Sequence, residues 1–499
     1  MRHILLVVAM FIAPPLGVRA QQQAPLASLD EPCSVSADPR WTNQEKFVWE
    51  RVCVGEVANF NTAPGYGGKL DPKMPDGWPQ NRVLRPVFLE TILLKDPYRR
   101  ALHRGGVVIF GAVSLENAEL DHPFGLGDSL LEKDLNLAWL RSKFPIRFQG
   151  GKVSGMLDLH GLQVGSNLFM NKNEFANVNL LIASVSGQLI LSGSKVTGML
   201  NMDGLKVGSL HMDEAEFADV ILVAAQVRGN LHLSRSKIGG DLECYALEVE
   251  QMILMADAKF DGRIECAWAK IKGGLMMSAQ FKKDVDWGEA EIGGALGLYS
   301  AQWADGTTLV LRNAKVGIMP ALADNWAPNL ELDGLTYRSI GAADQFQNWF
   351  DRLDRHLPQP YDQLASIVES QGNGTLATAI RYSGRERERD EATGIEWVWL
   401  TALKWVIGYG YYPQRAIFWA IGLVLMGAIV LRVSREGPRN EMPYGLAYSF
   451  DTLLPIIKLR DRHYQIDLKT WARYYFYGHK IMGYVLAAFL AAGLSGLTK

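Results

Sequence analysis

The chain has 499 residues, 48% of them hydrophobic, and a formal net charge of −2 at pH 7. A chain of this length commonly forms about two to four domains. Positive and negative side chains are mixed throughout, without the basic surface that nucleic-acid binding requires, so no nucleic-acid partner is expected.

Residues 1–20 have the pattern of a secretory signal peptide. Arg2 and His3 give a short basic start, and the apolar run at residues 4–12 is too short to span a membrane. Residues 18–20 then offer a small-residue cleavage site. The mature chain is therefore expected to enter an oxidising compartment, the bacterial periplasm; a buried N-terminal helix is the alternative.

Residues 21–105 are predicted to form a helical and loop-rich N-terminal cap, which covers the strand edges of the fold that follows. Thr42 and Glu45 have the spacing of a capping box at the start of a first helix. Cys33 and Cys53 flank that helix and could form a disulfide in an oxidising compartment, although two free buried thiols are the alternative.

Residues 106–340 are predicted to form a β-helix. Within them, from Val153 to about Trp303, a short repeat, [Val/Ile/Phe]-x-Gly-x-Leu-x-Leu, recurs every ten or eleven residues. Its units begin at Val153, Val164, Phe175, Val185, Val196, Val207, Phe217, Val227, Ile238, Val249, Phe260, Ile271, Phe281 and Ile292. A short period held over so many units predicts a β-solenoid, with about seven coils of roughly 21 residues. Cys244 and Cys266 fall inward and one coil apart, where reduced core cysteines are favoured over a disulfide.

The residue between the two apolar positions of each unit should point outward, because side chains alternate across a strand. One outward face is polar and acidic: Asp158, Asn179, Asn201, Ile221, Glu243, Glu265 and Asp286. The other is mostly apolar and supplies the candidate binding residues: Phe169, Ile190, His211, His232, Ile253 and Met276, ending at Gly297. A soluble solenoid has no reason to expose such a column, so we expect the later helices, another subunit or a partner to cover it.

Two histidines of the apolar face, His211 and His232, are predicted to lie one coil apart. Two stacked imidazoles could bind a metal ion, but the sequence shows no third ligand beside them. No metal site is therefore predicted, and no cofactor is expected.

The rest of the chain is predicted to be helical and to enter a membrane. Residues 341–395 form a helical linker, and residues 396–499 form an α-helical membrane domain. Within it lie two spans, at 416–431 and 481–497, and an interfacial or re-entrant helix at 443–459. The segment between the spans is basic, which places it in the cytoplasm and the solenoid in the periplasm by the positive-inside rule. Its cations are Arg435, Arg439, Lys458, Arg460, Arg462, Lys469 and Arg473.

In period and Leu/Gly pattern, the repeats resemble pentapeptide-repeat proteins. The C-terminal part is similar to that of bacterial pentapeptide-repeat-like membrane proteins. The matching motifs are Gln359-Pro360-Tyr361, Gly408-Tyr409-Gly410-Tyr411, YSFDTLLP at 448–455 and AGLSGL at 492–497. This resemblance implies a right-handed parallel β-helix joined to a two-span region in the inner membrane. Some such relatives are labelled membrane-associated oxidoreductases, but no motif here supports that activity. Bactofilins share part of the pattern, with shorter coils.

No nucleotide-binding, zinc-protease, serine-hydrolase or haem-attachment motif is present, so an enzyme is disfavoured. The expected function is a membrane-anchored scaffold that binds an envelope protein, or a second copy of itself, through the β-helix. One alternative is a degenerate two-span pore or gate, although Lys458 and Arg460 stand where a filter needs carbonyls. The other is an enzyme, either an oxidoreductase or one that uses the acidic column to act on envelope polysaccharide.

Overall fold

The computed structural model describes residues 33–68, 80–103, 107–110, 119–120, 123–131, 134–321, 325–442, 445–454 and 459–494. The predicted signal peptide at 1–20 and the end of the second predicted span, 495–497, lie outside these ranges.

The centre of the chain is a parallel β-solenoid with two sheets, in which strands of successive coils pair in parallel. The first sheet contains Ala58–Asn59, Val107–Phe110, Glu119–Leu120, Phe124–Gly127, Arg141–Ser142, Ile146–Gln149, Gln163–Val164, Leu168–Phe169, Ser184–Ile190, Lys206–His211, Gln226–Val227, Leu231–His232, Glu248–Val249, Ile253–Leu254, Lys270–Ile271, Leu275–Met276, Glu291–Gly297, Lys315–Met319 and Thr336–Ile340. The second contains Leu130–Leu131, Leu135–Asn136, Lys152–Asp158, Glu174–Asn179, Lys195–Asn201, Glu216–Ile221, Lys237–Ile238, Leu242–Glu243, Lys259–Phe260, Ile264–Glu265, Gln280–Phe281, Val285–Asp286, Gln302–Trp303, Thr308–Val310 and Asn329–Glu331. The predicted fold class is confirmed.

The solenoid has about ten coils spaced about 22 residues apart, so the prediction of about seven coils was wrong. The same corner of successive coils contains a residue with positive φ. These residues are Trp139, Gly161, Ile182, Gly204, Ala224, Ala246, Trp268, Glu289, Asn313 and Gly334. The missed coils lie before Val153 and after Ile292. They keep their parallel pairing, as between Val107–Phe110 and Phe124–Gly127, but lack the full Gly-x-Leu-x-Leu unit that the count used.

The core is a stack of inward apolar side chains, one layer per coil. Leu157, Leu168 and Leu189 are completely buried. Aromatic rings also stack along the axis: the ring centroids of Phe260 and Phe281 lie 5.5 Å apart, and those of Phe281 and Trp303 lie 4.4 Å apart. Each such residue contributes about 1.5–3 kcal/mol through burial, which is why the repeat conserves size and apolarity from coil to coil.

The N-terminal region contains the helices Asn43–Val52, Pro86–Leu94 and Tyr98–Ala101 and a 3-10 turn at Gln80–Arg82. The predicted capping box is confirmed, because Thr42 and Glu45 exchange their side-chain-to-backbone hydrogen bonds. The Glu45 carboxylate is fully buried and also pairs with the Arg85 guanidinium at 2.6 Å.

The C-terminal region is helical. Its helices are Phe346–Phe350, Pro358–Ser370, Gly374–Glu391, Gly394–Ile407, Gln414–Val433, Glu436–Arg439, Leu446–Leu453 and Ala472–Leu494, with 3-10 turns at Gly408–Gly410 and Asp461–Gln465. Side-chain amides of Gln359, Gln363 and Gln371 donate to backbone carbonyls of the last coil. The helical linker therefore closes the C-terminal end of the solenoid.

Among the described residues, one helix, Gln414–Val433, is long and apolar enough to cross a membrane. It contains the first predicted span. The second predicted span begins within the helix Ala472–Leu494, which does not meet the same test over its described residues.

Candidate functional site on one face of the solenoid

Five of the six predicted binding residues form one outward column. Strand pairing aligns Phe169 with Ile190, Ile190 with His211, and His211 with His232. The next partner of His232 is Leu254, which in turn aligns with Met276. We call the aligned residues Phe169, Ile190, His211, His232, Leu254 and Met276 the apolar column.

The prediction for Ile253 was wrong. Ile253 pairs with Leu231 and is completely buried, so it belongs to the core. The coil from His232 to Leu254 is one residue longer than the coil from His211 to His232. Because neighbouring residues in a strand point to opposite faces, a count that is wrong by one residue replaces an outward side chain with an inward one.

All members of the apolar column are half-buried. The guanidinium of Arg147 lies over the Phe169 ring, 4.8 Å from its centroid, at one end of the column. Gly297 aligns with Met276 at the other end and adds no side chain. The hydrogen bonds from the linker helices described above go to the last coil, so those helices close an end of the solenoid rather than the column.

Two histidines and an aspartate converge within the apolar column. The rings of His211 and His232 are stacked, with centroids 4.5 Å apart and planes 10° from parallel. Asp213 lies in the corner that follows His211, and its Oδ2 is 4.0 Å from His211 Nδ1. One potential ligand atom from each of the three residues lies within 4.8 Å of the others.

The local environment favours neutral imidazole at His211. Burial lowers the pKa of His211, and the neighbouring His232 lowers it further, against an opposing effect of Asp213. His211 Nε2 is buried without a hydrogen-bond partner. The prediction included both histidines but not Asp213, which lies two positions after His211 on the same outward side of the chain.

The polar column on the opposite sheet has a structural role. The predicted alignment from Asp158 to Asp286 is present. Several of its side chains accept a hydrogen bond from the backbone two residues later: Asp158 from His160, Asn179 from Leu181, Asn201 from Asp203 and Asp286 from Gly288. Glu265 accepts from the Tyr245 hydroxyl, a hydrogen bond that raises the pKa of Tyr245 to about 12. These contacts fix the corners of the coils.

Both cysteine pairs are bonded in the structure. Cys33 and Cys53 are joined with their Cα atoms 5.5 Å apart, across the first helix. Cys244 and Cys266 are joined with their Cα atoms 4.4 Å apart, in neighbouring coils, although the sequence favoured reduced thiols there. Stacking one residue above another within a β-solenoid brings the two sulfurs together.

A polar cluster in the C-terminal region surrounds Asp451, which is 1% exposed. Its carboxylate accepts hydrogen bonds from the backbone of Leu459 and Arg460 and lies 2.6 Å from His463 Nδ1. It thereby holds the chain that follows the helix Leu446–Leu453. That helix lies within the predicted re-entrant segment, whose residues 443–444 and 455–458 are outside the described ranges.

Comparisons with protein-family models, with curated proteins and with solved structures give no match to this chain. The fold is a parallel β-solenoid with about 22 residues per coil, consistent with a pentapeptide-repeat-like β-helix.

Proposed function

We propose that the protein is a membrane-tethered, non-enzymatic scaffold of the bacterial cell envelope. In this proposal the solenoid is a right-handed, pentapeptide-repeat-like β-helix that lies in the periplasm. It binds an envelope protein through the apolar column, and the C-terminal region anchors it in the inner membrane.

The observation that carries the proposal is the difference between the apolar column and the other faces. At the first positions of the strands, by contrast, outward side chains form ion pairs between coils. Examples are Lys195 with Glu216 at 3.1 Å and Lys315 with Glu291 at 2.8 Å. The apolar column places six uncharged or imidazole side chains in consecutive coils, over roughly 24 Å at a spacing of about 4.8 Å per strand. A strip of this kind, apolar except for its two imidazoles, suits a protein-binding surface.

The tether is supported by the helix Gln414–Val433. Its 20 residues would extend about 30 Å, the thickness of a bilayer core. Exposed Trp397 and Trp405 precede it and suit the membrane interface, and Arg435 and Arg439 follow it. This charge distribution supports a cytoplasmic connecting segment. The helix Ala472–Leu494 would provide the return span, and cleavage of residues 1–20 would release the periplasmic end.

A face-resolved crosslinking experiment tests the scaffold proposal. A photoreactive amino acid is placed in living cells at Phe169 or Leu254 of the apolar column, and at Lys195 or Lys259 of another face as matched controls. We expect one defined protein adduct from the first pair and none from the controls. Adding Ile190→Glu should abolish the adduct, because a carboxylate would interrupt the apolar surface. Equal adducts from both faces, or none from the apolar column, would contradict the proposal.

A further inference from the structure

We propose that His211, Asp213 and His232 bind one divalent transition-metal ion of the zinc class. Two imidazoles and a carboxylate form a donor set that suits zinc, cobalt, nickel and copper. The three residues come from two consecutive coils, whose strands pair in parallel with His211 opposite His232. The two histidines are thus positioned by paired strands of the solenoid, and Asp213 by the turn that follows the first of them.

The three potential ligand atoms need to move only slightly closer together to bind one ion. The three potential ligand atoms lie within 4.8 Å of one another. Metal–ligand bonds of about 2.0–2.2 Å in a tetrahedral site bring ligand atoms to about 3.4 Å. Rotation of the imidazoles and the carboxylate about their side-chain bonds covers the difference of roughly 1.4 Å. The backbone pairing can stay as it is.

The surroundings of the three ligands are those of a metal site. His211 Nε2 is buried and has no hydrogen-bond partner, so stacking of the two rings leaves a nitrogen unsatisfied. Asp213 Oδ1 accepts a hydrogen bond from the backbone N–H of Ser234 at 3.1 Å, which orients the carboxylate, and Oδ2 is directed toward His211. The side chains of His211 and Asp213 are about one quarter exposed, so an ion can enter and water can occupy the fourth coordination position.

Metal binding is tested on the full chain, purified in detergent through a tag that contains no histidine and stripped with a chelator. The probe is Co²⁺, whose visible absorption reports tetrahedral coordination by nitrogen and oxygen, followed by competition with Zn²⁺. We expect one Co²⁺ per chain, displaced by one Zn²⁺. Asp213→Asn and His232→Gln should each raise the Kd at least tenfold, since each removes a ligand.

His160→Gln is the matched control. His160 is also a half-buried solenoid histidine that contacts an aromatic ring, that of Trp139, but it has no second histidine beside it. This variant should bind Co²⁺ as the parent does. Asp213→Asn keeps the oxygen that accepts from Ser234, so a folded variant is available even if His232→Gln misfolds by circular dichroism. Absence of stoichiometric binding, or unchanged binding by folded Asp213→Asn, would overturn the proposal.

Discussion

The third position of the repeat is glycine, and Gly262 allows a test of whether the close approach of the preceding coil requires it. A Cβ built on Gly262 would lie less than 3.0 Å from the carbonyl oxygen of Gly240 in the preceding coil, a backbone atom that cannot rotate away. Gly262→Ala therefore forces the two coils apart. Overpacking of this kind costs about 1–3 kcal/mol. The adjacent hydrogen bond from Arg263 N to Asp241 Oδ1, 2.8 Å long, would also be weakened, at about 1 kcal/mol. The expected loss is about 2–4 kcal/mol.

Gly239→Ala is the matched control, in the preceding coil at the same bend. A Cβ on Gly239 would meet no atom closer than the Phe217 carbonyl oxygen at 3.7 Å, an ordinary contact. Because alanine restricts the unfolded chain, this variant should be unchanged or more stable by up to about 1 kcal/mol.

Hydrogen exchange read by mass spectrometry suits both variants, because the stability of a solenoid is local to neighbouring coils. The peptides of interest cover residues 238–265. In Gly262→Ala the backbone amides of these peptides should exchange faster, by the factor that corresponds to the lost free energy of unfolding. In Gly239→Ala their exchange should not become faster. Equal protection in the two variants, within about 0.5 kcal/mol, would refute the close-approach explanation of the repeat glycine.

Two further predictions concern the ends of the chain. Burial raises the pKa of the Glu45 carboxyl, but hydrogen bonds from Arg85 and the backbone lower it more, so its folded pKa lies below the usual value. The ion pair between Glu45 and Arg85 therefore stabilises the N-terminal region at pH values above the pKa that Glu45 has in the unfolded chain. This stabilisation is lost as the pH falls through the pKa of Glu45 in the folded protein. Glu45→Gln should cost about 1–3 kcal/mol at pH 7 in thermal unfolding and remove this acid sensitivity; an unchanged pH profile would contradict it. In the last described helix, Gly483→Ala should lower the Tm in detergent, because its Cβ would collide with the Leu453 carbonyl, whereas Gly478→Ala, with open space around it, should not.

The solenoid could be predicted from the sequence because every coil buries the same pattern of inward apolar side chains. A period of ten or eleven residues with inward leucines leaves few alternatives, and the structure confirms parallel stacked coils. The number of coils was harder to predict. The coils before Val153 and after Ile292 keep the parallel backbone pairing but lack the full Gly-x-Leu-x-Leu unit. Coil length also varies, from 17 residues between Val107 and Phe124 to 24 residues between Ile292 and Val316. A fixed count therefore misplaced Ile253.

The candidate metal cluster shows a second limit of the sequence. The stacking of His211 and His232 follows from the period, and the structure aligns them. Alternation places Asp213 on the same outward side as His211, since Met212 between them is completely buried. The period alone does not show that the Asp213 carboxylate comes within 4.0 Å of the imidazole. A corner residue with positive φ, Glu214, turns the chain beside the imidazole. The pattern His-x-Asp at a corner, with histidine one coil later, is the signal that would have revealed the cluster.

The most direct test of the tethered-scaffold account is the topology of the chain around the helix Gln414–Val433. Asp390 and Arg439 are exposed on either side of it, and all four native cysteines are paired, so single cysteines at these positions report cleanly. A membrane-impermeant maleimide is applied to Gram-negative cells with a permeable outer membrane. The account predicts that Asp390→Cys is labelled in intact cells and Arg439→Cys only after lysis. Protection of Asp390→Cys in intact cells would contradict it, and would place the solenoid and its apolar column in the cytoplasm.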